Sequence, residues 1–96
     1  MRFRTIRHRG LRCLIEGDNE RWLPPDLVER IRDIVAVLIL AENIDEFIAD
    51  ARAGWRVHGL TGDRRGTWSV SVSGNWRMTF EEEDGFVVRL DLEDYH

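Results

Sequence analysis

Residues 55–80, WRVHGLTGDRRGTWSVSVSGNWRMTF, constrain the fold more than any other stretch. From 67 to 73 the alternation is strict: Trp68, Val70 and Val72 on one side, Thr67, Ser69, Ser71 and Ser73 on the other. It resumes at 76–81, where Trp76, Met78 and Phe80 alternate with Arg77, Thr79 and Glu81. A period of two predicts strands with one apolar and one polar face. Gly74-Asn75 between the two runs is a hairpin signal, since both residue types tolerate positive φ. The segment Gly62-Asp63-Arg64-Arg65-Gly66 is too polar for a strand and reads as a turn. Upstream, Arg56 and His58 alternate with Trp55 and Val57 and extend the polar face. The stretch therefore predicts three strands, an apolar face that needs cover, and a polar face left in water.

The rest of the chain supplies the cover. Residues 1–6 read as a short strand with Phe3 inward and Arg2 and Arg4 outward. A first helix runs from His8 to about Gly17, with Leu11, Leu14 and Ile15 at helical spacing and the glycine as a stop. After a loop over 18–23, Pro24-Pro25 opens a second helix, whose stripe is Leu27, Ile31, Ile34, Val35 and Leu38. Residues 34–41 are apolar almost all round, which points to burial on two sides, the first choice in a small domain, or to a partner meeting that end. Asn43, followed three residues later by Glu46, caps a short helix anchored by Phe47 and Ile48. Beyond an acidic turn ending in Asp84-Gly85, Phe86, Val88, Leu90 and Leu92 alternate inward as a last strand. Periodicity alone gives an α+β fold, with two main helices on one face of an antiparallel sheet.

The 96 residues predict a single domain over 1–96. A chain of this length buries about 60–65% of its unfolded surface, enough for one core. The lone Cys13 excludes an internal disulfide and fits a reducing, cytoplasmic setting. The apolar run at 34–41 is too short to span a bilayer. All 14 basic residues are arginine, yet the net charge is −4. That balance argues against a general nucleic-acid coat, which rests on phosphate neutralisation. Segregation matters more: arginines concentrate at positions 2–12 and on the sheet, acids at 42–50, 81–84 and 91–94.

Three histidines are candidates for chemistry. His8 reads as an exposed polar residue at a strand–helix junction. His58 lies on the polar face beside the Arg64-Arg65 turn, and the last strand carries Asp94, Tyr95 and His96 to the edge of the same face. Histidines, a tyrosine, an aspartate and fixed arginines are suitable parts for metal-independent RNA cleavage. Such cleavage moves one proton off the substrate 2′-hydroxyl and another onto the leaving 5′-oxygen, and stabilises an anionic phosphorane. Guanidinium suits that anion through its bidentate fork. No histidine or carboxylate pair has metal-ligand spacing on a helix, and neither a cofactor nor a metal is expected. Trp22 and Trp55 sit at element edges, and Trp68, Trp76 and Met78 at inward positions.

The run HGLTGDRRGTWSVSVSGNWRMTF, the terminal EDYH and the early HRGL together resemble the HigB-type toxins of the RelE/ParE superfamily, over essentially the whole chain. The resemblance implies a RelE-like fold and a toxin of a type II toxin–antitoxin pair. It implies a ribosome-dependent mRNA endoribonuclease that cuts mRNA in the ribosomal A site. It also implies a helix-turn-helix antitoxin of the HigA type as partner, with DNA reached only through that antitoxin. Family catalytic positions fall on His58, Asp94, Tyr95 and His96, and the arginine of the NWR motif on Arg77. Where the family commonly has lysine before GDR, this chain has Thr61, so Arg64 or Arg65 must supply the missing cation. Two rivals stay open at this stage. One is a gyrase poison of the ParE kind; the other is a degenerate toxin that retains only antitoxin binding.

Overall fold

The computed structural model describes residues 1–94, so Tyr95 and His96 fall outside the described residues. The strands are β1 (Arg2–Phe3), β2 (His58–Gly59), β3 (Trp68–Ser71), β4 (Trp76–Glu83) and β5 (Phe86–Asp94). The helices are α1 (Arg9–Gly17), α2 (Val28–Leu40) and α3 (Ile44–Asp50). The sheet order is β1-β5-β4-β3-β2, which confirms the α+β reading. The β2–β5 portion is antiparallel as expected, whereas β1 pairs with β5 in parallel, Arg2 opposite Phe86. The parallel edge arises because α1, α2 and α3 lie between the two strands in sequence and bring the chain back in the same direction.

Local chemistry sets the helix ends. His8 caps α1: its Nδ1 accepts the Leu11 N–H at 3.3 Å. It is half-buried rather than exposed, and that burial lowers its pKa, an effect partly opposed by Asp91. Gly10 in the next turn lies against the loop before α2. A Cβ there would stand 2.6 Å from the Trp22 carbonyl, so only glycine fits. Pro25–Leu27 forms a 3-10 turn that leads into α2. Asn43 caps α3 by accepting the Glu46 N–H at 2.9 Å, while the Glu46 carboxylate accepts from Glu42 rather than from the cap itself. At its far end α2 is closed by the Met1 amine, which donates to the carbonyls of Leu38, Ile39 and Ala41.

The core lies between helices and sheet, where Leu11, Ile31, Ile34 and Leu38 meet Val70, Met78, Phe80 and Leu90. Phe47 joins Trp55 to Phe80 through stacked and edge-on rings. Several sequence expectations change here. Trp55 is not in a strand but in a 3-10 turn, Ala53–Trp55, and is fully buried. Trp68 and Trp76 only flank the core, half-buried. Ile39 and Leu40, at the end of the all-apolar run, are 55% and 80% exposed, because α2 has a single covered side there.

The two hairpins also differ from one another. Asp84 and Gly85 both take positive φ, 53° and 81°, as the Asp-Gly signal requires for a tight twisted turn. Gly74 and Asn75 take none; a longer loop closes on Trp76, whose carbonyl accepts from Val72 and Ser73. A bulge interrupts the β4–β5 ladder between Thr79 and Glu81, with Arg89 at φ 53°. Upstream of it the register slips by one. Val87, opposite Glu82, joins the core, whereas Val88 is buried outside it, and Phe86 is covered by the Arg4 guanidinium. The inward assignment of Phe86 and Val88 is thus corrected. Among the described residues no helix is long and apolar enough to cross a membrane.

Candidate active site

The strand register lays out the face away from the helices. His58 pairs with Ser69, Ser69 with Thr79, and Thr79 with Asp91. The adjacent row runs from Ser71 to Arg77 to Glu93. Directly opposed residues share a face, so the chain's polar positions line up as two rows across the sheet. The face is not bare. Ser69 and Thr79 are buried, and the Thr79 hydroxyl donates to Glu93.

At the centre is a carboxylate that the sequence reading passed over. Glu93 accepts two hydrogen bonds from Arg64, at 2.8 and 2.6 Å. It accepts a third from Arg77 at 3.3 Å and a fourth from the Thr79 hydroxyl at 2.5 Å. The Arg64 bonds, helped by those from Thr79 and Arg77, outweigh burial and hold the Glu93 carboxyl at a pKa of about 2. Arg64 and Arg77, distant in sequence, are thereby fixed side by side as a pair of cations. Arg65, next in the 3-10 turn Gly62–Arg64 and just beyond it, is exposed and forms no ion pair with a described residue. Thr61 precedes that turn, exposed, and its side chain makes no cap hydrogen bond.

His58 is exposed at the end of the first row. Its Nδ1 lies 2.8 Å from the Arg56 carbonyl. A carbonyl oxygen can only accept, so the proton sits on Nδ1, and the neutral ring presents an unprotonated Nε2. That carbonyl belongs to a residue held in the left-handed conformation, φ 48°. The backbone is therefore bent at the point that orients the ring.

Asp94 lies elsewhere. Its register partner is Trp76, so it belongs with Met78 and Leu92 on the helix side of the sheet, not with Arg77 and Glu93. It is also three strands from β2, so the structure does not bring it beside His58. The expectation that the end of β5 carries Asp94 onto the polar face is corrected by this register. Tyr95 and His96, the other two expected catalytic residues, lie outside the described residues. Among the described residues no three His, Cys, Asp or Glu side chains converge as metal ligands would. The signal for Glu93 was present in the alternation: it stands two residues after Asp91, in phase with the polar face and opposite Arg77.

The HigB-like toxin family, described as RelE-like toxins of the type II toxin–antitoxin system HigB, matches residues 4–96. Endoribonuclease HigB of Proteus vulgaris is 37% identical over 93 residues, 97% of this chain and 98% of that protein. Among solved structures, YafQ from E. coli strain BL21(DE3) superposes with a TM-score of 0.59 at 12% identity, covering 95% of this chain and 89% of its own. A YoeB/ParE toxin from Agrobacterium tumefaciens gives a TM-score of 0.54 at 17% identity, covering 100% and 99%. The helix-backed sheet is thus a fold shared with these small toxins, and the matching family is described as RelE-like. The chain belongs to that HigB-like family, and membership implies an antitoxin partner.

Proposed function

We propose that this chain is the toxin of a type II pair and an endoribonuclease that cuts mRNA on the ribosome, in the A site, without a metal or other cofactor. Its antitoxin is of the helix-turn-helix, HigA kind, and it acts in the cytoplasm as one domain over 1–96. The observation that carries the reading is His58, whose tautomer is set by the Arg56 carbonyl and whose strand register puts it in the row beside the one that holds Arg77 and Glu93. Nε2 takes the proton of the substrate 2′-hydroxyl. The 2′-oxygen bonds to phosphorus and the bond to the 5′-oxygen breaks, leaving a 2′,3′-cyclic phosphate and a free 5′-hydroxyl. His96 gives the leaving oxygen its proton, with Tyr95 completing the terminal group. Arg77 and Arg64 balance the phosphorane charge, with Arg64 standing in for the lysine that Thr61 replaces and Arg65 binding RNA beside them.

The test is primer extension on mRNA translated by purified ribosomes. The wild type is expected to leave cuts within codons. His58→Ala and deletion of His96 are each expected to abolish them while leaving the thermal melt unchanged. Gyrase-linked DNA breaks without RNA cuts would overturn the reading in favour of a gyrase poison. No effect from an overproduced, folded protein would leave only antitoxin binding.

A further inference from the structure

We propose that a cleft beside the arginine–carboxylate cluster binds a nucleotide of single-stranded RNA flanking the cut, with its phosphodiester on Arg7 and Arg65. The proposal rests on the endoribonuclease reading and names a contact outside the reacting group. The cleft has a volume of about 320 Å³, the size that takes one small ligand. It is built from four separate parts of the chain, one of them residues 79–81 of β4. Arg7 comes from the segment after β1, Asp63 and Arg65 from the turn before β3, and Arg89 from the bulge of β5. Arg64 and Thr79 line it too, and both bind Glu93, so cleft and cluster share a wall.

The charges within the cleft are not equivalent. Arg64 is neutralised by Glu93. Arg89 is held by Glu81 and Glu83, at 3.4 and 3.0 Å, which also answers the one glutamate that lines the cleft. Arg7 and Arg65 form no ion pair with any described residue, although they share a concavity with Asp63. Two guanidinium groups without a carboxylate partner in a polar recess attract a phosphate, which offers each of them a charge-assisted contact. Asp63 adds a negative charge that repels a largely dianionic free phosphate more than a singly charged phosphodiester, and an acceptor that the phosphodiester itself, with no proton at neutral pH, leaves unused. A ribose 2′-hydroxyl or a base amine can donate to it, so a nucleotide fits better than a free anion. The bulge is the device that turns Arg89 onto Glu81 and Glu83 and keeps the glutamates from repelling the strand.

The test uses the full chain carrying His58→Ala, so that RNA is bound but not cut. Binding of a short single-stranded RNA is measured across a salt series. Arg7→Ala and Arg65→Ala are each expected to weaken binding about tenfold, one charge-assisted contact. Each should also make the dependence of log K on log salt shallower by about 0.7. The corresponding lysine variants should restore the slope. Arg52→Ala, on an exposed arginine paired with Asp33 away from the cleft, should change neither quantity. Wild-type affinity and slope in both alanine variants would overturn the proposal. So would inorganic phosphate that competes as well as the RNA, since the cleft would then hold an anion only. Slope changes together with a wild type that leaves mRNA uncut on ribosomes would support the cleft and sink the nuclease reading instead.

Discussion

Glu93 presents to Arg64 and Arg77 the same array of oxygen acceptors that a phosphate would. Replacing it by glutamine keeps the size and one acceptor but removes the charge that fixes the pair. Glu93→Gln is expected to slow single-turnover cleavage about tenfold, while RNA binding stays equal or tightens because a negative charge is gone. Equal losses in rate and binding would mean that Glu93 only supports the fold, and Glu93→Asp should recover part of the rate. Stability gives a second readout. The carboxyl's pKa falls from 4.5 to about 2 on folding, so its contribution is complete above 4.5 and lost as pH falls toward 2. Acid melts of Glu93→Gln should be flatter in that window. His8 acts in a different window. Its pKa is lowered below 6.5, because burial favours the neutral ring and the cap needs an unprotonated Nδ1. Its contribution is therefore present above 6.5 and lost on acidification below it. His8→Asn, which can still cap, should remove the pH dependence there while leaving the melt at pH 8 within about 1 kcal/mol. At this scale the sequence displayed His58, Arg64 and Arg77 but hid Glu93. In the EDYH ending, the histidine and aspartate draw the chemical reading, and only the strand register shows that the glutamate meets the arginines.

Helices and strands were legible where one periodicity ran uninterrupted. The α2 stripe and the alternations of β3 and β4 each follow from apolar side chains that gather on one side. β5 was misread upstream of Arg89 because two adjacent valines leave the phase of the alternation ambiguous, and a one-residue bulge is invisible in such a run. The two hairpins give a test that separates turn signal from turn geometry. Gly85 sits at φ 81° and has the Glu42 carbonyl 3.5 Å from where a Cβ would be. Gly74 has ordinary φ and nothing within 4 Å. Gly85→Ala should cost about 1 kcal/mol or more. Gly74→Ala should be neutral or stabilise by about 0.4–1 kcal/mol, through the reduced entropy of the unfolded chain. Chemical-denaturation midpoints will decide between them, and an equal loss at both sites would mean that the Gly74-Asn75 turn is as tight as its sequence suggests.

Across the whole molecule, the layers divide the labour. The helix–sheet interface carries the stability, and the opposite face of the sheet carries the Arg64 and Arg77 pair, although the chain as a whole is acidic at −4. The general plan was readable because the apolar face of the sheet demands cover and the amphipathic helices α1 and α2 precede its antiparallel strands in the chain. The far end of α2 was not readable, since eight apolar residues in succession look buried on two sides. There Ile39 and Leu40 stand 55% and 80% exposed, belonging neither to the core nor to the face with His58. Replacing both with glutamine tests that division. Glutamine has good helix propensity and no charge, so it preserves α2 and the net charge of −4 while removing apolar surface. Each change is expected to stay within about 0.5 kcal/mol, as for other surface substitutions. Since about 1 kcal/mol shifts the melting temperature of a domain this size by roughly 4–8 °C, the double variant should melt within a few degrees of the wild type. Cleavage on programmed ribosomes should be unaltered. A loss well beyond that range would show that the end of α2 is packed against something the isolated chain supplies, whereas slower cleavage at an unchanged melt would place it in contact with the ribosome.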